Sequence, residues 1–195
     1  MKKYAALFIL TSGLLQGASI QATFDTSGLP AGDYALDLQM ADGDGMENNS
    51  VTFKNFLFNG LVLNLLSLTG TATGTIGSSI VITDGDPTPD PFSGALQTFS
   101  VTGGLSSIAF VLSYSEAFAG GFPDAIFMGI LDSTFATLAS LMVDLADPTV
   151  VTAAPGNGVT VTAVDGSVPE PGLAWLVAAA AFGIAVRGRR LLNRQ

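Results

Sequence analysis

The sequence predicts an all-β protein: a single β-sandwich or jelly-roll-like ectodomain between an N-terminal signal-peptide helix and a C-terminal transmembrane helix. Three observations predict it. Between residues 23 and 165, short alternating or apolar runs rich in Val, Leu, Phe and Thr are separated by clusters of Gly, Asp, Asn and Pro. No helical period extends beyond about two turns in that stretch. The two ends, by contrast, are apolar segments flanked by Lys or Arg. The expected organisation is a signal peptide over 1–22, the β domain over 23–165 and a C-terminal segment with an apolar helix and an arginine-rich end over 166–195.

At the N-terminus, Met1-Lys2-Lys3 is a basic start and Ala5 to Leu15 an apolar stretch. Small and polar residues follow, ending in Ile20-Gln21-Ala22. This is the pattern of a secretory signal peptide, read by signal peptidase and the secretion machinery, with cleavage expected after Ala22 and Ala18 as the alternative.

The β domain then proceeds strand by strand. Tyr34 to Met40 alternates, with Tyr34, Leu36, Leu38 and Met40 on one face and Asp37 and Gln39 on the other. Val51 to Phe58, Leu61 to Leu68, Ile80 to Thr83, Leu96 to Val101, Ile108 to Ser115 and Ala125 to Asp132 follow. Leu138 to Leu145 and Thr149 to Ala153 come next, and Val159 to Val164 closes the set with strict alternation. Two segments also read as helix. Leu61 to Leu68 is leucine-rich, and Phe135 to Val143 places apolar residues at helical spacing. Both are expected as strands.

At the C-terminus, Val168-Pro169-Glu170-Pro171 precedes an uncharged run from Gly172 to Val186, followed by Arg187, Arg189, Arg190 and Arg194. Prolines break regular structure, the apolar run enters the bilayer and the arginines stay cytoplasmic. The expected transmembrane helix spans 172–188. Its uncharged run is about 22 Å long at 1.5 Å per residue, short of a usual span, so the anchor is marginal. Trp175 lies near its outer end, where an indole favours the interface.

This tail resembles the PEP-CTERM sorting signal of Gram-negative bacteria, which combines a Val-Pro-Glu-Pro motif, a short helix and an arginine-rich end. The resemblance implies processing by exosortase at Val168 to Pro171. It also implies transient anchoring in the inner membrane, then the cell surface or an exopolysaccharide or biofilm matrix. The domain itself is similar to a group of small PEP-CTERM proteins. The matching phrases are Phe24-Asp25-Thr26-Ser27-Gly28-Leu29, Tyr34 to Gln39 and Val51-Thr52-Phe53-Lys54-Asn55-Phe56. That likeness implies a β-sandwich of unassigned role.

Charge and composition narrow the function. Lys54 is the only Lys or Arg between residues 4 and 186. One lysine against fifteen carboxylates gives the stretch 23–168 a formal net charge of −14. Such a surface repels nucleic acid and disfavours anionic polysaccharide unless a divalent cation bridges them. The chain has no His and no Cys, which removes the usual general base, the usual zinc ligands, thiol chemistry and disulfides. No enzyme activity is expected.

Two acidic loops are candidate calcium ligand sets. One holds Asp42, Asp44 and Glu47, the other Asp84, Asp86 and Asp90. Calcium takes several carboxylate oxygens from a flexible loop, although neither loop follows the EF-hand pattern. The same Asp-Gly pairs also make plain turns, because Asp accepts local backbone hydrogen bonds and Gly supplies positive φ. No other cofactor is expected. Gly103-Gly104 and Gly120-Gly121 do not open a phosphate loop. The expected role is structural or adhesive. The rivals are a carbohydrate-binding module, with an aromatic row among Phe92, Phe118 and Phe122, and a calcium-dependent assembly module.

Overall fold

The computed structural model describes residues 19–85, 92–115, 124–145 and 151–165. The expected signal-peptide residues before Ser19, the expected processing motif Val168–Pro171, Trp175 and the arginines from Arg187 on lie outside them. So do Asp86, Asp90, Phe118 and Phe122. No helix among the described residues is long and apolar enough to cross a membrane.

The described chain is all-β. Its strands are β1 (Ser19–Asp25), β2 (Gly32–Ala41), β3 (Ser50–Asn59), β4 (Leu61–Thr69), β5 (Thr73–Gly74) and β6 (Ser79–Thr83). The second half contributes β7 (Phe92–Val101), β8 (Ser107–Tyr114), β9 (Ala125–Leu131), β10 (Thr137–Asp144), β11 (Val151–Ala154) and β12 (Thr160–Asp165). They form two six-stranded antiparallel sheets, in the orders β12-β1-β8-β3-β6-β5 and β11-β10-β9-β2-β7-β4. This arrangement is consistent with a β-sandwich.

The core follows from alternation. On β2, Leu36, Leu38 and Met40 are buried, facing Ile126, Met128 and Ile130 of β9 across the same sheet. From the other sheet come Phe24, Phe53, Phe110, Leu112, Ile80 and Ile82, all in one apolar cluster with them. Phe110 sits at the aromatic centre, its ring 5.4 Å from Phe56, 5.8 Å from Phe53 and 6.2 Å from Phe24.

Both segments that also read as helix are strands, β4 and β10. β4 shows why leucine propensity loses. Its register against β7 shifts between Leu63 and Leu66, and β7 side chains satisfy the freed backbone. The Leu65 N–H donates to Thr98 Oγ1 at 2.9 Å, and Gln97 Nε2 donates to the Leu65 carbonyl at 3.3 Å. β4 is an edge strand, and Val62, Leu63, Leu65 and Leu68 are exposed on it.

β1 was not among the expected strands. It begins at Ser19 and lies between β12 and β8, with Ile20 and Ala22 buried. Cleavage after Ala18 would leave this strand whole, whereas cleavage after Ala22 would leave only Thr23–Asp25 of it.

Candidate metal centre

The ends of β2, β6 and β8 and the starts of β3 and β9 lie together at one end of the two sheets. Three of the six carboxylates expected in the two loops, Asp42, Asp44 and Asp84, converge at this junction, together with Asp124, which the sequence did not single out. Asp42, Asp44 and Asp124 each place a carboxylate oxygen within 4.8 Å of the others. Oxygens bound to a single calcium at about 2.3–2.6 Å lie no more than about 5 Å apart, so the spacing fits that ion.

The local hydrogen bonds explain how the loops are held. Asp42 Oδ1 accepts the Gly45 N–H at 2.6 Å, and Asp44 Oδ1 accepts the Met46 N–H at 2.8 Å. These are the turn-forming bonds that Asp supplies to its own backbone. Asp124, just before β9, is 1% exposed. Its Oδ1 accepts the Gly43 N–H at 2.8 Å and the Asp44 N–H at 3.4 Å. Its Oδ2 accepts Asn49 Nδ2 at 2.6 Å. Ser115 Oγ in turn donates to Asn49 Oδ1 at 3.1 Å and accepts the Ser50 N–H at 2.8 Å.

Asp84 is 4% exposed and closes the junction from β6. Its Oδ2 accepts the Asn48 and Asn49 N–H groups at 3.0 and 2.6 Å. Burial pushes its carboxyl above the usual range, against those two amides, and the neighbouring Asp124 carboxylate adds to the rise. Two buried like charges side by side call for a proton or a cation between them. Lys54 is no counter-ion here, since it lies along β3 opposite Ser79 and Val111.

Turn formation does not account for every oxygen. Asp42 Oδ2 is buried and is the only such side-chain nitrogen or oxygen without a hydrogen-bond partner among the described residues. A buried, unpaired carboxylate oxygen is costly unless something positive meets it. Glu47 stands apart: it is exposed and does not belong to the group.

A second concentration of unusual side chains lies on the outer face of the β11-to-β4 sheet. Asp37 points away from the core, yet it is only 8% exposed. It faces Leu96 on β7 and Gly129 on β9 in register, and its Oδ2 accepts Gln39 Nε2 at 2.6 Å. Nearby, the β9–β10 turn holds Phe135 at φ 63°, a conformation costly for an aromatic residue at about 1–3 kcal/mol. Asp132 enforces it. Its Oδ1 accepts the Thr134 N–H at 2.8 Å, the Thr134 hydroxyl at 2.7 Å and the Ala136 N–H at 3.0 Å. The Thr134 hydroxyl, with the Ala136 and Thr134 amides, holds the Asp132 carboxyl below its usual range. Burial does not offset the strain, because Phe135 is 64% exposed.

Asp37 has a pH signature. Burial pushes its carboxyl up from 3.8 to about 6, against the lowering effect of Gln39. The folded state therefore keeps a proton that the unfolded chain loses at lower pH. The associated stability is full below about pH 4 and is lost as pH rises through about 6. Asp37→Asn removes that loss. We expect the variant to be more stable than the parent by about 1 kcal/mol at pH 7, after allowance for solvent screening, with the gap closing near pH 4. Urea melts at the two pH values check it.

No family model, no curated protein and no solved structure matches this chain.

Proposed function

We propose that this chain is an exported, non-enzymatic protein of the cell surface or extracellular matrix, whose jelly-roll-like β domain is locked at one end by a calcium ion. One observation carries the calcium part of the reading: Asp42, Asp44 and Asp124 converge from loops about 80 residues apart in sequence, beside buried Asp84, around an orphaned Asp42 oxygen. An all-oxygen, multiply charged set on loops suits calcium, which tolerates irregular geometry; magnesium demands a near-ideal octahedron. The ion would tie the β2–β3 loop to the start of β9, and it would neutralise part of a strongly acidic domain.

Export and processing rest on the sequence. The basic and apolar N-terminus supports secretion. Val168-Pro169-Glu170-Pro171, the short helix and the arginines support exosortase processing after a transient stay in the inner membrane. A structural or adhesive role is supported by the absence of His and Cys and by the apolar edge strand β4, since open apolar edges favour association.

Native mass spectrometry of the protein recovered from the surface or medium of cells with an active exosortase tests both parts at once. The expected mass is that of a chain lacking both the leader and the arginine tail, plus one calcium ion. A chain still ending at Gln195 contradicts the processing. A metal-free mass from calcium-containing medium contradicts the calcium site.

A further inference from the structure

The outer face of the β11-to-β4 sheet carries a groove of about 600 Å³, within the range of small-molecule sites. Asp37 and Gln39 lie in it, Phe127 and Phe135 flank it, and hydroxyls come from Ser67 and Thr69 of β4. A smaller hollow of about 290 Å³ shares Gln39 and Phe127 and continues along the same face towards Ala41 and Ala125. The trough therefore runs from the β9–β10 turn towards the strand ends that carry Asp42 and Asp124.

Phe127 is positioned by a missing side chain. A Cβ on Gly129 would come within 2.8 Å of Phe127 Cε1 and 2.9 Å of its Cζ. The ring thus leans over Gly129, which is paired with Asp37 on the neighbouring strand. One aromatic ring is laid down beside a carboxyl by a glycine, and a second is held at the groove by a strained turn. Backbone strain of this kind, where burial gives nothing back, gathers at ligand clamps.

We propose that this trough binds a neutral oligosaccharide, with Phe127 and Phe135 stacking on sugar C–H faces and Asp37 and Gln39 hydrogen-bonding to hydroxyls. The chemistry of the lining selects this ligand class. The backbone beneath is already paired between β4, β7, β2, β9 and β10, so no extended peptide can add to it as a strand. Recognition must come from side chains. These offer an acceptor, an amide that both donates and accepts, several hydroxyls and two aromatic rings. A sugar presents the complement: an apolar C–H face and a rim of groups that both donate and accept. Asp37 is the only ionisable group in the lining, and the domain is strongly acidic, so an anionic glycan is repelled. A lone carboxyl also falls short of the pair that glycoside cleavage uses, which makes this a binding trough.

The test is calorimetric titration of the full chain in a sugar-free detergent with cellohexaose, mannohexaose and xylohexaose, and with hexamannuronate as the anionic comparator. At least one neutral hexamer is expected to bind, without being cleaved, and hexamannuronate is not. Phe135→Gly frees the strained turn, so its melting temperature should equal or exceed the parent's while affinity falls about tenfold. Gly129→Ala displaces the Phe127 ring at a position without positive φ and should weaken binding by a similar factor. Absence of binding by every neutral hexamer at millimolar concentration overturns the proposal. So does equal binding of hexamannuronate, or parent-like affinity in both variants. Repeating the titration in EDTA separates this site from the calcium reading, on which it does not depend.

Discussion

Phe110→Ala is expected to destabilise the domain by about 3–5 kcal/mol, the range for removing a fully buried aromatic side chain. Phe110 is 1% exposed and meets the rings of Phe24, Phe53 and Phe56, so the hole it leaves is walled by stiff neighbours that cannot collapse into it. Its strand β8 lies between β1 and β3, which hold the backbone in place on both sides. In a domain of this size the melting temperature should fall by roughly 10–15 °C. Urea unfolding should show a lower midpoint with an unchanged slope. Leu105→Ala is the control, because Leu105 is 91% exposed and should stay within about 0.5 kcal/mol of the parent.

Asp124→Ala is expected to cost about 2–4 kcal/mol even without calcium. The change removes the acceptor for the Gly43 and Asp44 amides and for Asn49 Nδ2, and charged acceptors of buried donors are among the costly ones to lose. Asn49 would then keep its bonds to Asn48 and Ser115 but lose the one that ties the start of β3 to β9. Relief of the repulsion between Asp124 and Asp84 offsets part of the loss, which is why the expected figure stays below the sum of three charged hydrogen bonds. Thermal melts in EDTA check the magnitude. A loss below about 0.5 kcal/mol, the size of an ordinary surface change, would show that the junction does not depend on this carboxylate.

Most of the fold is legible in the sequence because its strands carry their own alternation. Tyr34 to Met40 separates Leu36, Leu38 and Met40 from Asp37 and Gln39, and the sheet faces follow that division. The alternating run Val159 to Val164 likewise falls on β12 (Thr160–Asp165), with Val159 just ahead of it in a bridge to Gly156. The failures have physical causes. β1 is not legible locally, because Ser19–Ala22 also has the small, apolar character of a cleavage region, and its strand nature depends on β8 and β12, far away in sequence. β5 has two residues and no period to read. Of the acidic candidates, Asp42, Asp44 and Asp84 are legible from their loops, while Asp86 and Asp90 lie outside the described residues. Asp124 is not legible, because a lone Asp before a strand carries no local sign of a partner 80 residues earlier. Glu47 shares the loop but is exposed and outside the carboxylate group. The groove was unreadable for the same reason: Phe127, Gly129 and Phe135 take their meaning from cross-strand register and from one backbone angle.

Asp42→Asn provides the most direct test of the calcium-locked junction. Asn keeps the oxygen that accepts the Gly45 N–H and replaces the orphaned buried oxygen and its charge with an amide. The measurement is the melting temperature of parent and variant in calcium and in EDTA, at equal ionic strength so that general screening of the acidic domain cancels. In EDTA the variant should be at least as stable as the parent, because one of several clustered like charges is gone. In calcium the parent should gain about 2.7 kcal/mol at a hundredfold excess over the dissociation constant, and the variant should gain far less. The order of the two proteins therefore reverses between the two buffers. Equal responses of parent and variant to calcium would contradict the account.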